Sequence, residues 1–324
     1  MGLKGRSFIN TLEFSAKELE GILKKAAALK KSKKGPTPLK GKSVALVFFN
    51  PSLRTRVSFQ VGIAQLGGQA VSMSVGSESW TLEHHDGAVM NADKTEHIKD
   101  AAGVLSRFVD AIAVRSFPGM KSYQEDMADG VIESFRKHSS VPVINMESSL
   151  WHPCQGMADA MTAIERLGSI KKRKVVLTWA YHPKALPMAV PNSFAAAFSQ
   201  LGADLTIAHP AEFPLEKRLL DALPHKPRIV HSKKEALEGA EIVYAKSWGG
   251  SAYYGRWEEE KKIRETKQDW ICDSLPKGAV FMHCLPVRRN VEVSDAVLDS
   301  TNSAIYDEAE NRLHVQKAIL SEIL

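Results

Sequence analysis

Short apolar runs alternate with stretches of helical spacing along almost all of this 324-residue chain, and that alternation restricts its fold more than any other feature. In the first half, Ser43–Phe48 and residues 70–73, 110–115 and 141–144 have the character of strands. Between them, Val57, Val61, Ala64 and Leu66, then Ile98, Ala102, Leu105 and Phe108, then Ile132 and Phe135 fall at helical intervals. Asp93 and Glu96 are the expected caps of the second of these helices. Ser15 with Glu18 predicts a capping box on an earlier amphipathic helix, which Gly35-Pro36 stops. A β-α-β-α-β-α-β order implies a parallel sheet flanked by helices, with functional groups at the carboxyl ends of its strands.

The second half repeats the pattern, with strands near Lys174–Trp179, Asp204–Ala208, 229–231, 241–245 and 279–283. His152-Pro153 opens a helix to about Leu167 that crosses between the halves, since proline suits a first turn and Gly168 a stop. Residues 181–192 form a loop with prolines at 183, 187 and 191. The expectation is an α/β protein of two domains, 1–150 and 151–307. The final helix, 308–324, is a candidate to pack back on the first.

Several classes are excluded. No GxGxxG follows any strand, which argues against a dinucleotide enzyme. The net charge of +6 gathers in two lysine-rich runs, 24–34 and 171–174, without the interleaved aromatics of a nucleic-acid module. Cys154, Cys272 and Cys284 are too scattered for a disulfide framework. No segment reaches the roughly 20 apolar residues of a membrane span, and MGLKGRSFIN has no apolar signal core. These features predict a cytoplasmic protein with reduced thiols. His84, His85 and His97 offer no persuasive ligand set, so neither metal nor cofactor is expected.

The stretch FFNPSLRTRVSF, from Phe48 to Phe59, joins the first strand to a helix. With Ser52 as N-cap, the first-turn N–H groups, the helix dipole and Arg54 and Arg56 together suit a phosphate. An ordinary connection with solvated arginines is the alternative. Arg115, His152-Pro153-Cys154-Gln155 and His283-Cys284-Leu285-Pro286 stand at further strand and helix ends. Singly, each has a structural explanation: an ion pair, a helix cap, a small buried thiol.

Together with Ser52-Leu53-Arg54-Thr55 they resemble the S-x-R-T, H-P-x-Q and H-C-L-P signatures of the carbamoyltransferase family, in that family's order. The resemblance covers essentially the whole chain. It implies that Ser52, Leu53, Arg54, Thr55 and Arg312 hold the phosphate of carbamoyl phosphate, and that the catalytic set is Arg115, His152 and Cys284. Arg115 and His152 would polarise the carbamoyl oxygen. Gln155 and the carbonyls of Cys284 and Leu285 would accept from the carbamoyl NH₂. Trp80 would enter the site from a neighbouring subunit, implying a homotrimer.

The family carbamoylates amines, and Lys246 in Tyr244-Ala245-Lys246-Ser247-Trp248-Gly249 bears on which amine. A lysine there repels an α-ammonium and pairs with an α-carboxylate, so an acceptor with an acylated α-nitrogen is expected. The FFNPS-x-RTR, proline-rich and YAKSW segments resemble the acylornithine branch. This implies N-acetyl-L-ornithine as acceptor, bound by Glu147, His182 and Lys246 with Arg289 nearby. Glu83 from an adjacent subunit would disfavour the extra carboxylate of a succinyl group. N-succinylornithine is the nearer alternative, and a non-catalytic anion-binding protein the more distant one. The branch also implies a knot, with loop 181–191 threaded past the YAKSW segment. Glu292 is expected as a negative charge behind the site.

Overall fold

The computed structural model describes residues 2–32 and 35–324. Lys33 and Lys34 of the first lysine-rich run therefore lie outside the described residues. The opening helix α1, Ala16–Lys31, carries the expected capping box: Ser15 N donates to Glu18 Oε2 at 2.7 Å, and Glu18 N to Ser15 Oγ at 3.3 Å. Leu19, Ile22, Leu23, Ala26 and Leu29 form its buried stripe.

Four parallel strands make the first sheet: β1, Ser43–Phe48; β2, Gln69–Ser74; β3, Ala111–Arg115; and β4, Val143–Glu147. Their order is β2-β1-β3-β4. Leaving β1, the chain goes to one side for β2 and returns to the other for β3. A crevice must open between the connections beyond β1 and β3, where Ser52 and Arg115 lie. The helices α2, Arg54–Gln65; α3, Ile98–Phe108; and α4, Gly130–His138 cover this sheet. A two-residue bridge pairing Leu82–Glu83 with Glu96–His97 takes up the segment expected to start α3. Helix α3 begins at Ile98 instead, and His97 caps it by accepting from Lys99 N, in place of Asp93 and Glu96.

Helix α5, Pro153–Leu167, crosses to a second sheet, of strands β5, Lys174–Trp179; β6, Asp204–Ala208; β7, Arg228–Val230; β8, Ile242–Lys246; and β9, Val280–Met282. All are parallel, in the order β9-β8-β5-β6-β7, so a second crevice opens beyond β5 and β8. His182 and Lys246 stand there. Helix α6, Ala189–Gln200, takes Pro191 into its first turn, so the proline loop ends earlier than its sequence suggested. A Cβ on Gly156 would lie 2.4 Å from Ser193 O, and glycine thereby lets α5 and α6 cross closely. The last helix, α7, Ile305–Ile323, packs on α1, α2 and α5. All three cysteines are free and buried. No described helix is long and apolar enough to cross a membrane.

Candidate active site

Both crevices open on one cavity of about 660 Å³, lined by Ser52–Thr55, Arg115, Glu147, His152, Gln155, His182, Lys246, Cys284, Leu285 and Arg312. On the side of the first sheet, α2 begins at Arg54. Leu53 already has helical dihedrals and makes no side-chain cap. Ser52 is therefore not the N-cap. Its hydroxyl accepts from Arg115 Nη1 at 2.7 Å. Thr55 Oγ1 accepts from Arg115 Nη1 at 2.9 Å and from Arg312 Nη2 at 2.5 Å. With their lone pairs engaged by arginines, the Ser52 and Thr55 hydroxyl hydrogens are left to donate.

Arg54, Arg115 and Arg312 are cations gathered in a poorly solvated place. Burial, with Arg312 next, lowers the Arg54 pKa, and burial also leads the lowering at Arg115. Among the described residues, their buried Nε atoms have no hydrogen-bond partner. Such a cluster favours a bound anion, which relieves both the repulsion and the unmet donors. Arg56 does not take part. Two residues along a helix is about 200° around it, and its guanidinium binds Ser72 and Ser74 Oγ at 2.8 and 2.7 Å.

Behind the anion site, Glu147 Oε2 lies 3.1 Å from Arg115 Nη2 and 3.5 Å from His152 Nε2. Burial pushes its pKa up while Arg115, Arg312 and Lys246 oppose the rise. For His152, burial and then Arg312 and Arg115 push the pKa well below the usual value. The imidazole is neutral at neutral pH and offers a single N–H, suited to polarising a carbonyl oxygen without supplying a full positive charge. The Cys284 thiol is pushed up to about 12 by burial, so it remains protonated and is no nucleophile.

The other wall comes from the second sheet. His182 Nε2 accepts from Arg288 Nε at 3.0 Å, which puts its proton on Nδ1, 2.8 Å from Lys184 O. Burial lowers the His182 pKa to about 4. Arg288 N donates to Glu292 Oε2 at 2.8 Å. Arg264, paired with Glu260 at 2.7 Å, holds the carbonyls of His182 and Trp248 at 3.2 and 2.6 Å. The cavity thus joins an anion cradle to a wall of Lys246, Arg288 and neutral His182, with His152 between.

Residues 6–165 match the family model described as "Aspartate/ornithine carbamoyltransferase, carbamoyl-P binding domain", and 188–323 that of the "Asp/Orn binding domain". The chain belongs to the aspartate/ornithine carbamoyltransferases. It is 46% identical to N-acetylornithine carbamoyltransferase of Xanthomonas campestris pv. campestris, over 98% of each chain. It is 36% identical to N-succinylornithine carbamoyltransferase of Bacteroides fragilis, over 88% of each. A crystal structure of acetylornithine transcarbamylase complexed with acetylcitrulline superposes with a TM-score of 0.95, at 45% identity, over 98% of this chain and 99% of that one.

Arg289, anticipated near this carbamoyltransferase site, stands outside its cavity, and Trp80 and Glu83, anticipated at a neighbouring subunit's site, do not line this chain's own. Arg289 is exposed and held by Asp295 and Asp299 at 2.7 and 2.8 Å, and the cavity arginine is its neighbour Arg288. Local carboxylates capture the one guanidinium while the turn at 288–292 directs the other inward. Trp80 is 64% exposed. Glu83 folds onto its own loop, accepting from His84 N and His85 N at 2.7 and 2.8 Å and pairing with Lys94 at 3.0 Å. Glu83, His84 and His85 do bring three possible ligand atoms within 4.8 Å of one another, a cluster the sequence did not suggest. Beyond Arg288, reading the sequence also missed Asp159 and Glu308. Their signal is helical phase: Asp159 follows Gln155 by four residues, and Glu308 precedes Arg312 by four.

Proposed function

We propose that this carbamoyltransferase moves the carbamoyl group of carbamoyl phosphate to the δ-amine of N-acetyl-L-ornithine, giving N-acetyl-L-citrulline and phosphate. The observation that carries this is the union, in one cavity, of the Ser52–Thr55, Arg115 and Arg312 cradle with a cationic wall of Lys246 and Arg288. The cradle holds the phosphate. Arg115 and His152 attend the carbamoyl oxygen, and Gln155 with the carbonyls of Cys284 and Leu285 the NH₂. The neutral amine attacks the carbamoyl carbon; a tetrahedral oxyanion forms, its C–O bond to phosphate breaks, and the amine's surplus proton leaves with phosphate. A free alkylamine is overwhelmingly protonated at neutral pH, so selecting and orienting its neutral form is part of the catalytic task.

The acceptor carboxylate pairs with Lys246 and Arg288, and an acylated α-nitrogen avoids the repulsion a free α-ammonium would meet there. Resemblance to the Xanthomonas relative supports the acetyl group. The weaker resemblance to the Bacteroides relative keeps succinyl as second reading. In the same proposal, residues 1–150 bind the donor and 151–307 the acceptor. A cytoplasmic homotrimer brings Trp80 and Glu83 of one subunit to the next subunit's cavity. The knot belongs to it too; Gly249 N donating to Leu186 O at 2.9 Å supports a close passage of the two loops. Side-by-side assay of N-acetylornithine, N-succinylornithine and free ornithine tests the reading, with at least about a 100-fold preference in kcat/KM for the acetyl compound expected. Preference for free ornithine would overturn the role of Lys246, and preference for succinylornithine the role of Glu83. Phosphate release with none of the three would favour a binding protein.

A further inference from the structure

Beneath the cavity floor, Gln155 is held by two acids. Its Nε2 donates to Asp159 Oδ1 at 2.8 Å and to Glu308 Oε1 at 2.9 Å, while Glu308 Oε2 accepts from His283 N at 2.9 Å. All four residues are buried. The Gln155 NH₂ faces both carboxyl groups, so its Oε1 is turned away from the acids. That oxygen is buried with no hydrogen-bond partner among the described residues, and Gln155 lines the cavity. An unpaired buried acceptor bears its desolvation cost uncompensated, so its upkeep calls for a donor from outside the protein.

We propose that Asp159 and Glu308 are positioning residues that lock the Gln155 amide with its oxygen toward the donor, so that the site accepts an acyl phosphate bearing NH₂ and rejects one bearing methyl. Glu308 also ties this lock to the strand end preceding Cys284 and Leu285, so one acid braces the amide and the backbone turn together. Both acids converge on the Gln155 NH₂. Burial leads the rise in both, pushing Asp159 up to about 7 and Glu308 well above its ordinary value. A released Gln155 could rotate by 180°, presenting its own NH₂ to the substrate's.

The inference rests on carbamoyl phosphate as donor, and is read by binding alone. The ratio of dissociation constants for acetyl phosphate and carbamoyl phosphate reports the lock; inorganic phosphate reports the anion cradle. Glu308→Gln can supply only one acceptor where Gln155 and His283 need two, so the ratio should fall at least about tenfold. Asp159→Leu should do the same. Asp159→Asn should keep the ratio within about threefold, because its carbonyl still accepts from Gln155. Inorganic phosphate should bind within about threefold of wild type throughout. A ratio unchanged in Glu308→Gln, or in Asp159→Leu should the former not fold, would overturn the lock. So would equal loss in the Asn and Leu variants, or parallel loss of phosphate binding. A wild type that does not prefer carbamoyl over acetyl phosphate would overturn the donor assignment itself.

Discussion

The two walls of the cavity are built differently. On the donor side, four consecutive residues, Ser52 to Thr55, form one turn whose hydroxyls are gripped by Arg115 and Arg312. On the acceptor side, His182, Lys246 and Arg288 come from three separate segments, braced from behind by Arg264 through backbone carbonyls. In the proposed function the donor wall holds a doubly charged phosphate, which concentrated cationic donors do well, and the acceptor wall fits an amino-acid derivative at several points. One demand favours a compact motif and the other a dispersed set.

If the donor wall is the concentrated one, removing its unengaged arginine should have the largest effect. Arg54→Ala is expected to weaken carbamoyl phosphate binding by at least about 100-fold, from loss of charge-assisted hydrogen bonds of about 1.5–3 kcal/mol each. Calorimetric titration checks this, and an unchanged melting temperature excludes unfolding. Retained tight binding would mean that the anion sits elsewhere.

The same contrast explains how much the sequence discloses. The strand-helix alternation, with the strands of both sheets, was readable because buried parallel strands leave short unbroken apolar runs and amphipathic helices a period of about 3.6 residues. The S-x-R-T turn was readable because its parts are contiguous. What failed there was phase: Arg54 and Arg56 lie on opposite helix faces, and the helix starts one residue later than a Ser52 cap requires. The acceptor wall resisted more. Their adjacency in sequence does not distinguish Arg288 from Arg289; the distinction comes from Asp295 and Asp299, which fold back onto the latter. Asp159 and Glu308 meet only after α5 and α7 pack together.

That pair of arginines sharpens the comparison at intermediate size. Arg288→Ala should raise the acceptor KM about tenfold while leaving carbamoyl phosphate affinity within about twofold, the mark of a residue confined to one wall. Arg289→Ala should leave both constants within about twofold. Steady-state kinetics with each substrate varied in turn separates the cases, and the reverse outcome would restore Arg289 to the site.

The smallest effect concerns protons. His182 on the acceptor wall has a pKa lowered to about 4, whereas Asp129, which accepts from Ser148 Oγ and Ser149 N beside the donor wall, is raised to about 6, chiefly by burial. The two move stability in opposite senses. Between about pH 6.5 and 4 the unfolded chain protonates His182 and the native chain does not, so acidification through that window favours unfolding. Asp129 contributes stability below the unfolded carboxylate pKa that is lost as pH rises through about 6. Because Asp129 is common to both proteins, subtracting His182→Gln from wild type isolates the histidine. The difference in unfolding free energy, wild type minus variant, should decrease steadily in urea titrations from about pH 7 to about 4.5. A flat or rising difference would mean that His182 protonates as readily folded as unfolded, and that the acceptor wall is as open to water as an ordinary surface loop.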